Sequence, residues 1–248
     1  PETALKYAQF FSSSAYFDTL LHICVLYYGL EIDNNSLIHI YERGHNMKKK
    51  TCCFTGHRPQ SLPFGFNEND ARCAALKKAL REQIIHLIEK ENVTHFISGM
   101  AIGIDMYAAE IVLDLKKSYP GITLESAIPC ETQPVKWSEA LRERYYNIAA
   151  QCDKETMLQT HYTPDCMDKR NKYMVDQSDV IIAVWSGRPS GTGKTVTYAL
   201  SKGKPVSIID PISSEVAYKT TKKSDYLINQ NVRACSAGLE RQKVRTLY

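Results

Sequence analysis

The sequence predicts an α/β protein built on a doubly wound, mostly parallel sheet with helices on both faces. Two observations carry this reading. Short apolar runs rich in β-branched residues alternate, from Lys50 to Asp210, with segments whose apolar residues recur every three or four positions. Several of the strand-like runs then break at a glycine turn that leads into the next helix, at Gly56, at Gly99 and after Trp185. A chain of 248 residues has room for one sizeable domain of this kind with extensions, or for two small domains.

The elements follow in order. Cys52-Cys53-Phe54-Thr55 is a short strand ending at Gly56, and Cys73, Leu76, Leu80, Ile84 and Leu87 mark an amphipathic helix. His95–Ser98 is the second strand, closed by Gly99. A helix over Ile102–Lys117 stops at Pro120 and Gly121. Ile122–Ile128 is a third strand, ended by Pro129, and Trp137, Leu141, Tyr145 and Ile148 share a helix face. Glu155–Gln159 reads as a strand, Asp168–Asp176 as a helix, Val180–Trp185 as a strand, Thr195–Lys202 as the last helix and Val206–Ile209 as the last strand. Strands alternating with helices imply a parallel sheet covered on both faces.

The flanks read differently. Residues 1–46 mix aromatic and apolar runs with a polar stretch at Asp33-Asn34-Asn35, consistent with a helical extension or with sequence outside the fold. Met47 before Lys48-Lys49-Lys50 reads as a second start, which gives a domain over 47–211. Beyond it the periodicity decays, and 212–248 read as a basic, loosely ordered tail. Residues 211–248 hold seven Lys/Arg against three Asp/Glu, so the formal charge of +4 resides there and the body is neutral. A neutral body argues against a nucleic-acid groove, which needs a clustered basic face. The apolar stretch Leu20–Leu30 contains His22 and is too short to span a bilayer, so no membrane role is expected. The eight cysteines form no CxxC pair and no Cys/His cluster, so neither a zinc site nor any other metal is expected. Unpaired cysteines without an export signal point to the cytoplasm.

Three turns carry chemistry: Thr55-Gly56-His57-Arg58, Ser98-Gly99-Met100-Ala101-Ile102-Gly103-Ile104-Asp105, and Ser190-Gly191-Thr192-Gly193-Lys194-Thr195. Glycine lets the backbone approach an anion, hydroxyls donate to phosphate oxygens, and a helix that follows adds its positive end. The same residues also serve plain turns and caps. Three such turns in one sheet, with Arg58 and Lys194, favour ligand binding. Gly193-Lys194-Thr195 imitates a P-loop, but Arg188 stands where the first glycine is required. Asp210, at the end of the last strand, could imitate the acidic metal ligand of such a domain. Gly99 and Gly103 do not form GxGxxG, so the dinucleotide fingerprint is absent.

Together FTGHRP (Phe54–Pro59), SGMAIGID (Ser98–Asp105), the Pro129…Gln133…Trp137…Arg144-Tyr145 segment, CMDKRNKYMVDQSD (Cys166–Asp179) and SGTGKTVTYA (Ser190–Ala199) resemble the YpsA-like branch of the SLOG superfamily, which includes DprA-type and LOG-type Rossmann-like domains. The resemblance spans about Lys50 to Pro211. It implies a nucleotide pocket at Thr55, Gly56, Arg58, Ser98, Gly99, Asp105, Arg170, Asn171, Gly191, Thr192 and Gly193, with His57, Met100, Ser190, Lys194 and Thr195 in the same turns. The ligand it implies is AMP, ADP-ribose or an NAD-like molecule, with no further cofactor required. LOG-type hydrolases carry a glutamate where this chain has Thr197. General acid–base help in a LOG-like N-glycosidic cleavage would then fall to Glu131 or Asp105. The leading expectation is a nucleotide-binding or sensing domain, with a homo-oligomer among its expected partners and N-glycosidic hydrolysis as the alternative. A P-loop NTPase and a DprA-like single-stranded DNA binder come after these.

Overall fold

The computed structural model describes residues 48–220. The extension 1–46, the start at Met47, Cys24, Cys235 and the tail beyond Thr220 lie outside the described residues. The elements are β1 (Lys50–Gly56), α1 (Ala71–Glu91), β2 (Val93–Ser98), α2 (Ile104–Leu115), β3 (Thr123–Ile128), α3 (Glu139–Ala149), β4 (Lys154–Met157), α4 (Cys166–Asp176), β5 (Val180–Val184), α5 (Gly191–Ser201), β6 (Val206–Ile209) and β7 (Val216–Lys219). They assemble as expected into an α/β fold on one sheet, ordered β4-β3-β2-β1-β5-β6-β7, parallel except for the β6–β7 pair.

Side-chain alternation along each strand divides the core between the two faces. Cys52, Phe54, Phe96, Leu124 and Ile182 pack beneath α1, α2 and α3, with Phe54 and Phe96 stacked at 5.8 Å across β1 and β2. Cys53, Ile97, Ala127, Ile181 and Ala183 pack beneath α4 and α5 with Met174, Val175, Val196 and Ala199. The buried cysteines thus act as small hydrophobes. α1 begins where Asp70 accepts from the Arg72 N–H (2.8 Å) and ends at Asn92, whose left-handed backbone closes the last turn onto the Leu87 carbonyl.

From β1 the chain winds outward through β2 and β3 to β4, then crosses to β5 and β6 on the other side of β1. The winding reverses between β1 and β5, whose ends meet in the pair Gly56↔Val184. Doubly wound sheets bind ligands at this switch point, outside the carboxyl ends of the strands.

Two departures from the sequence reading matter. The sheet continues past Pro211: Asp210 Oδ1 accepts from the Ile212 and Ser213 N–H groups (2.7 and 3.0 Å), turning the chain into antiparallel β7. The expected loose tail therefore contributes an edge strand, and Asp210 is a turn cap. The last helix also starts at Gly191, four residues before Thr195, because Ser190 caps it by accepting the Gly193 N–H at 3.1 Å. No helix among the described residues is long and apolar enough to cross a membrane.

One charge lies inside the sheet. Glu125 on β3 is 1% exposed. Burial opposes its ionisation, but donors from His95 (3.0 Å), Tyr173 (2.7 Å) and Lys154 (3.0 Å) outweigh that and hold the carboxyl down to about 2, against the usual 4.5. A carboxyl lowered in the folded state adds stability that is complete above its unfolded value and fades as pH falls through the folded one. We expect Glu125→Gln to lower unfolding free energy at neutral pH by about 2 kcal/mol, discounted because Lys154 is half exposed. Urea melts across pH should show this gap closing as pH falls from about 4.5 towards 2. A gap that is the same at both ends would contradict the assignment.

Candidate functional site

The turns after β1, β2 and β5 are tied together around the switch point by buried polar contacts. His57, 6% exposed, reaches across to the turn after β5, where its Nε2 accepts the Ser186 N–H (3.2 Å) and lies 3.1 Å from the Ser186 hydroxyl. Burial pushes the imidazole below its ordinary value, and the backbone donor places the ring proton on Nδ1. His57 thus joins two loops as a neutral ring. Arg58 beside it is exposed, and its guanidinium has no ion pair or hydrogen bond among the described residues.

The turn after β2 is wound tightly. The Ser98 hydroxyl donates to the Asp105 carbonyl (2.8 Å) and accepts the Met100 N–H (3.2 Å). Met100 is fully buried with φ 56°, a left-handed conformation rare for a residue with a side chain. Gly103 precedes α2 with φ 98°, and Asp105 sits in that helix's first turn.

Arg170, which the family resemblance places in the pocket, is 4% exposed. Its Nη1 donates to the Gly99 carbonyl in a very short contact, its Nε donates to Asn171 Oδ1 (2.8 Å), and its charge faces Asp105 Oδ2 at 3.8 Å. Asn171 passes the contact on to Thr195 Oγ1 (3.1 Å), and Thr195 donates to the Gly191 carbonyl (3.1 Å). One polar chain therefore runs from the turn after β2 to the first turn of α5. Burial pushes the Asp105 carboxyl up, and Arg170 opposes it; burial likewise works against the Arg170 charge, and Asp105 sustains it. The pair neutralises itself inside the fold.

At α5, Ser190 Oγ takes the Gly193 N–H, while the Gly191 and Thr192 N–H groups have no partner among the described residues. No acidic side chain stands in the first turn of this helix. Lys194 is exposed there with no ion pair among the described residues, whereas Thr192 and Thr195 point inward and are buried. Gly193 packs against the Trp185 ring, where an added Cβ would lie 3.2 Å from the indole. A groove of about 590 Å³ opens beside this turn between α4 and α5, lined by Trp185, Pro189, Ser190, Lys194, Thr197 and Tyr198 among others.

A family model, described as the YspA SLOG family (YpsA), matches residues 52–210. The chain belongs to this YpsA SLOG family. Its relatives include a UPF0398 protein of Brevibacillus brevis, 34% identical over 150 residues, which cover 60% of this chain and 79% of the relative. Another is the SPbeta prophage-derived protein YoqJ of Bacillus subtilis, 36% identical over 136 residues, covering 50% of this chain and 80% of its own. The solved structure of DNA processing protein A from Helicobacter pylori covers 73% of each chain at 17% identity and a TM-score of 0.44.

Within this SLOG domain, Thr55, Gly56, His57, Ser98, Gly99, Met100, Asp105, Arg170, Asn171 and Thr195 gather at the carboxyl edge of β1, β2 and β5. Glu131 is exposed in the turn after β3, with its N–H on the Thr160 carbonyl. Among the described residues no group of three His, Cys, Asp or Glu side chains is placed to hold a metal ion. Two contributors escaped the sequence reading. Ser186 receives His57, and Gln133 binds the turn after β2 through the Gly99 and Met100 carbonyls (3.3 and 2.9 Å). Gln133 stood within a recognised motif segment, but nothing in its spacing marked it as a site residue.

A Cβ on Gly99 would collide with the Arg170 guanidinium and come within 2.7 Å of Asp105 Oδ2, whereas one on Gly191 would meet nothing. Arg170 cannot swing aside without breaking its buried bonds. Gly99→Ala is expected to cost more than about 2 kcal/mol, and Gly191→Ala to stay within about 0.5 kcal/mol. Chemical denaturation of both variants checks this, and equal effects would refute it.

Proposed function

We propose that this SLOG domain is a cytoplasmic nucleotide-binding or sensing module whose phosphate sits at the first turn of α5. The observation that carries the reading is the pair of unpartnered N–H groups at Gly191 and Thr192, beside the unpaired Lys194 and a groove of about 590 Å³. Backbone donors, a helix N-terminus and a mobile cation together make an anion-binding corner. Arg58, also unpaired, adds positive charge near Asp105 and Arg170. The groove bordered by Trp185 and Tyr198 has a size and lining suited to a planar base or a sugar next to that phosphate. Like the turns themselves, the family resemblance supports AMP, ADP-ribose or an NAD-like molecule as the ligand class.

Hydrolysis of an N-glycosidic bond draws no comparable support. Thr197 lines the groove where LOG-type enzymes carry a carboxylate, and Asp105 is engaged with Arg170.

A thermal-shift panel of AMP, ADP-ribose and NAD tests the reading. A ligand at about a hundredfold excess over its Kd stabilises by about 2.7 kcal/mol. For a domain of this size that is a rise of roughly 5–10 °C. Gly191→Asp, which brings a carboxylate to the anion corner, should abolish the shift while the unliganded melt stays close to wild type. No shift with any member of the panel would refute the proposal.

A further inference from the structure

Gln133 is 8% exposed, and its amide is fixed by what it donates to. Both Nε2 hydrogens are engaged, one by the Met100 carbonyl at 2.9 Å and one by the Gly99 carbonyl at 3.3 Å. Rotating the amide by half a turn would set its oxygen against those two carbonyl oxygens, so the network settles the orientation. That leaves Gln133 Oε1 as a buried acceptor without a donor, alone in this respect among buried side-chain atoms of the described residues. Buried polar atoms are nearly always paired, and an orphaned acceptor calls for a donor.

The orphan lies where the proposed ligand site is most densely wired. The Gly99 carbonyl that Gln133 holds is also held by Arg170, and Arg170 continues through Asn171 and Thr195 to the Gly191 turn. The other polar groups of this corner are engaged: Ser98 with Asp105 and Met100, and Asp105 with Arg170 and the Ala101 N–H. An acceptor oxygen repels phosphate, so the part of a ligand that meets Gln133 must present O–H or N–H.

We propose that Gln133 is a specificity-determining residue of the proposed nucleotide site. Its Oε1 accepts a hydrogen bond from a hydroxyl or amino group of the ligand, and so distinguishes ligands by a donor remote from their phosphate. This rests on the nucleotide reading above. Oε1 is covered, so the donor reaches it by displacing the outer part of the turn after β3. There Glu131, Thr132, Val135 and Lys136 are exposed, and the Gln133 and Val135 N–H groups bond only within the turn, to Cys130 and Thr132. The Gln133 amide is the tie between this turn and Met100, so a ligand that engages Oε1 acts directly on the left-handed turn after β2.

Calorimetric titration of the full chain with AMP, 2′-deoxy-AMP, 3′-deoxy-AMP and inosine monophosphate separates the outcomes. At least one analogue lacking a donor should bind the wild type about tenfold or more weakly than AMP. A deoxy analogue identifies a sugar hydroxyl, and the inosine compound identifies the amino group of the base. In Gln133→Met that penalty should shrink to within about twofold, while AMP itself still binds. A purely structural role for Gln133 would weaken all four ligands alike and leave the penalty intact, which would overturn the proposal. Should Gln133→Met fail to fold, the wild-type series decides: a penalty supports the proposal, and four equal affinities overturn it. If none of the four binds, this proposal falls, and the nucleotide reading falls with it only if ADP-ribose and NAD also leave the melt unshifted, an outcome distinct from AMP binding without discrimination.

Discussion

Arg170 carries a permanent charge into a place sealed from water, and the carboxyl edge of the sheet is arranged around that fact. A buried guanidinium is tolerated only when its donors are met and a counter-charge is near. Here the Gly99 carbonyl, the Asn171 amide and the Asp105 carboxylate meet those needs from three elements: the turn after β2, α4 itself and the start of α2. Each partner is constrained in return. Gly99 must lack a side chain because the guanidinium lies against its Cα. Asp105 must enter the first turn of α2, which sets where Gly103 turns the chain. Asn171 must face α5, which fixes Thr195 and through it Gly191. One charge thus positions the two turns that the sheet topology brings to the switch point.

The topology explains why such a fastening is needed. Main-chain hydrogen bonds hold the strands side by side, but they do not position the loops beyond the carboxyl ends. At β1 and β5, which lead away to opposite faces, the neutral His57 ring makes the link to Ser186. At β2 and β3, the Gln133 amide makes it. Apart from the Arg170–Asp105 pair these links are uncharged, so most of the edge is held by neutral groups. The cations Arg58 and Lys194, which have no ion pair among the described residues, remain at the surface.

Strand and helix identity was legible because the apolar runs are long and the helix spacings regular, as with Cys73, Leu76, Leu80, Ile84 and Leu87 on α1. The ends were less legible. Gly191 and Gly193 look like loop residues, yet the Ser190 cap draws them into the first turn of α5, an effect visible only once the hydroxyl and the Gly193 N–H are seen to meet. β7 was missed because four residues at an edge, mostly exposed, carry too little apolar pattern to stand out. The Arg170 burial was hidden by its neighbours: Lys169 and Lys172 on α4 pair with Asp165 and Asp168 at the surface, so the segment reads as a solvated charged face. The gathering of the three turns was readable from their motifs, but their connections through Gln133 and Ser186 were not, because these depend on side chains meeting across loops distant in sequence.

The same wiring bears on the alternative of N-glycosidic hydrolysis. Cleaving a glycosidic bond requires a carboxyl that can give up and take back a proton within reach of the scissile atoms. Asp105 is the buried acid at this edge, and its charge is needed to balance Arg170; protonating it would leave the guanidinium unpaired in the interior. Using Asp105 as an acid would therefore loosen the Gly99 turn on each cycle. Glu131 is exposed on a surface turn, outside the polar chain. At Thr197 the groove offers a hydroxyl in place of a carboxylate. With its one buried acid committed to balancing Arg170, this corner holds the turns together at the expense of acid–base chemistry, and that favours the proposed binding role over the hydrolytic one.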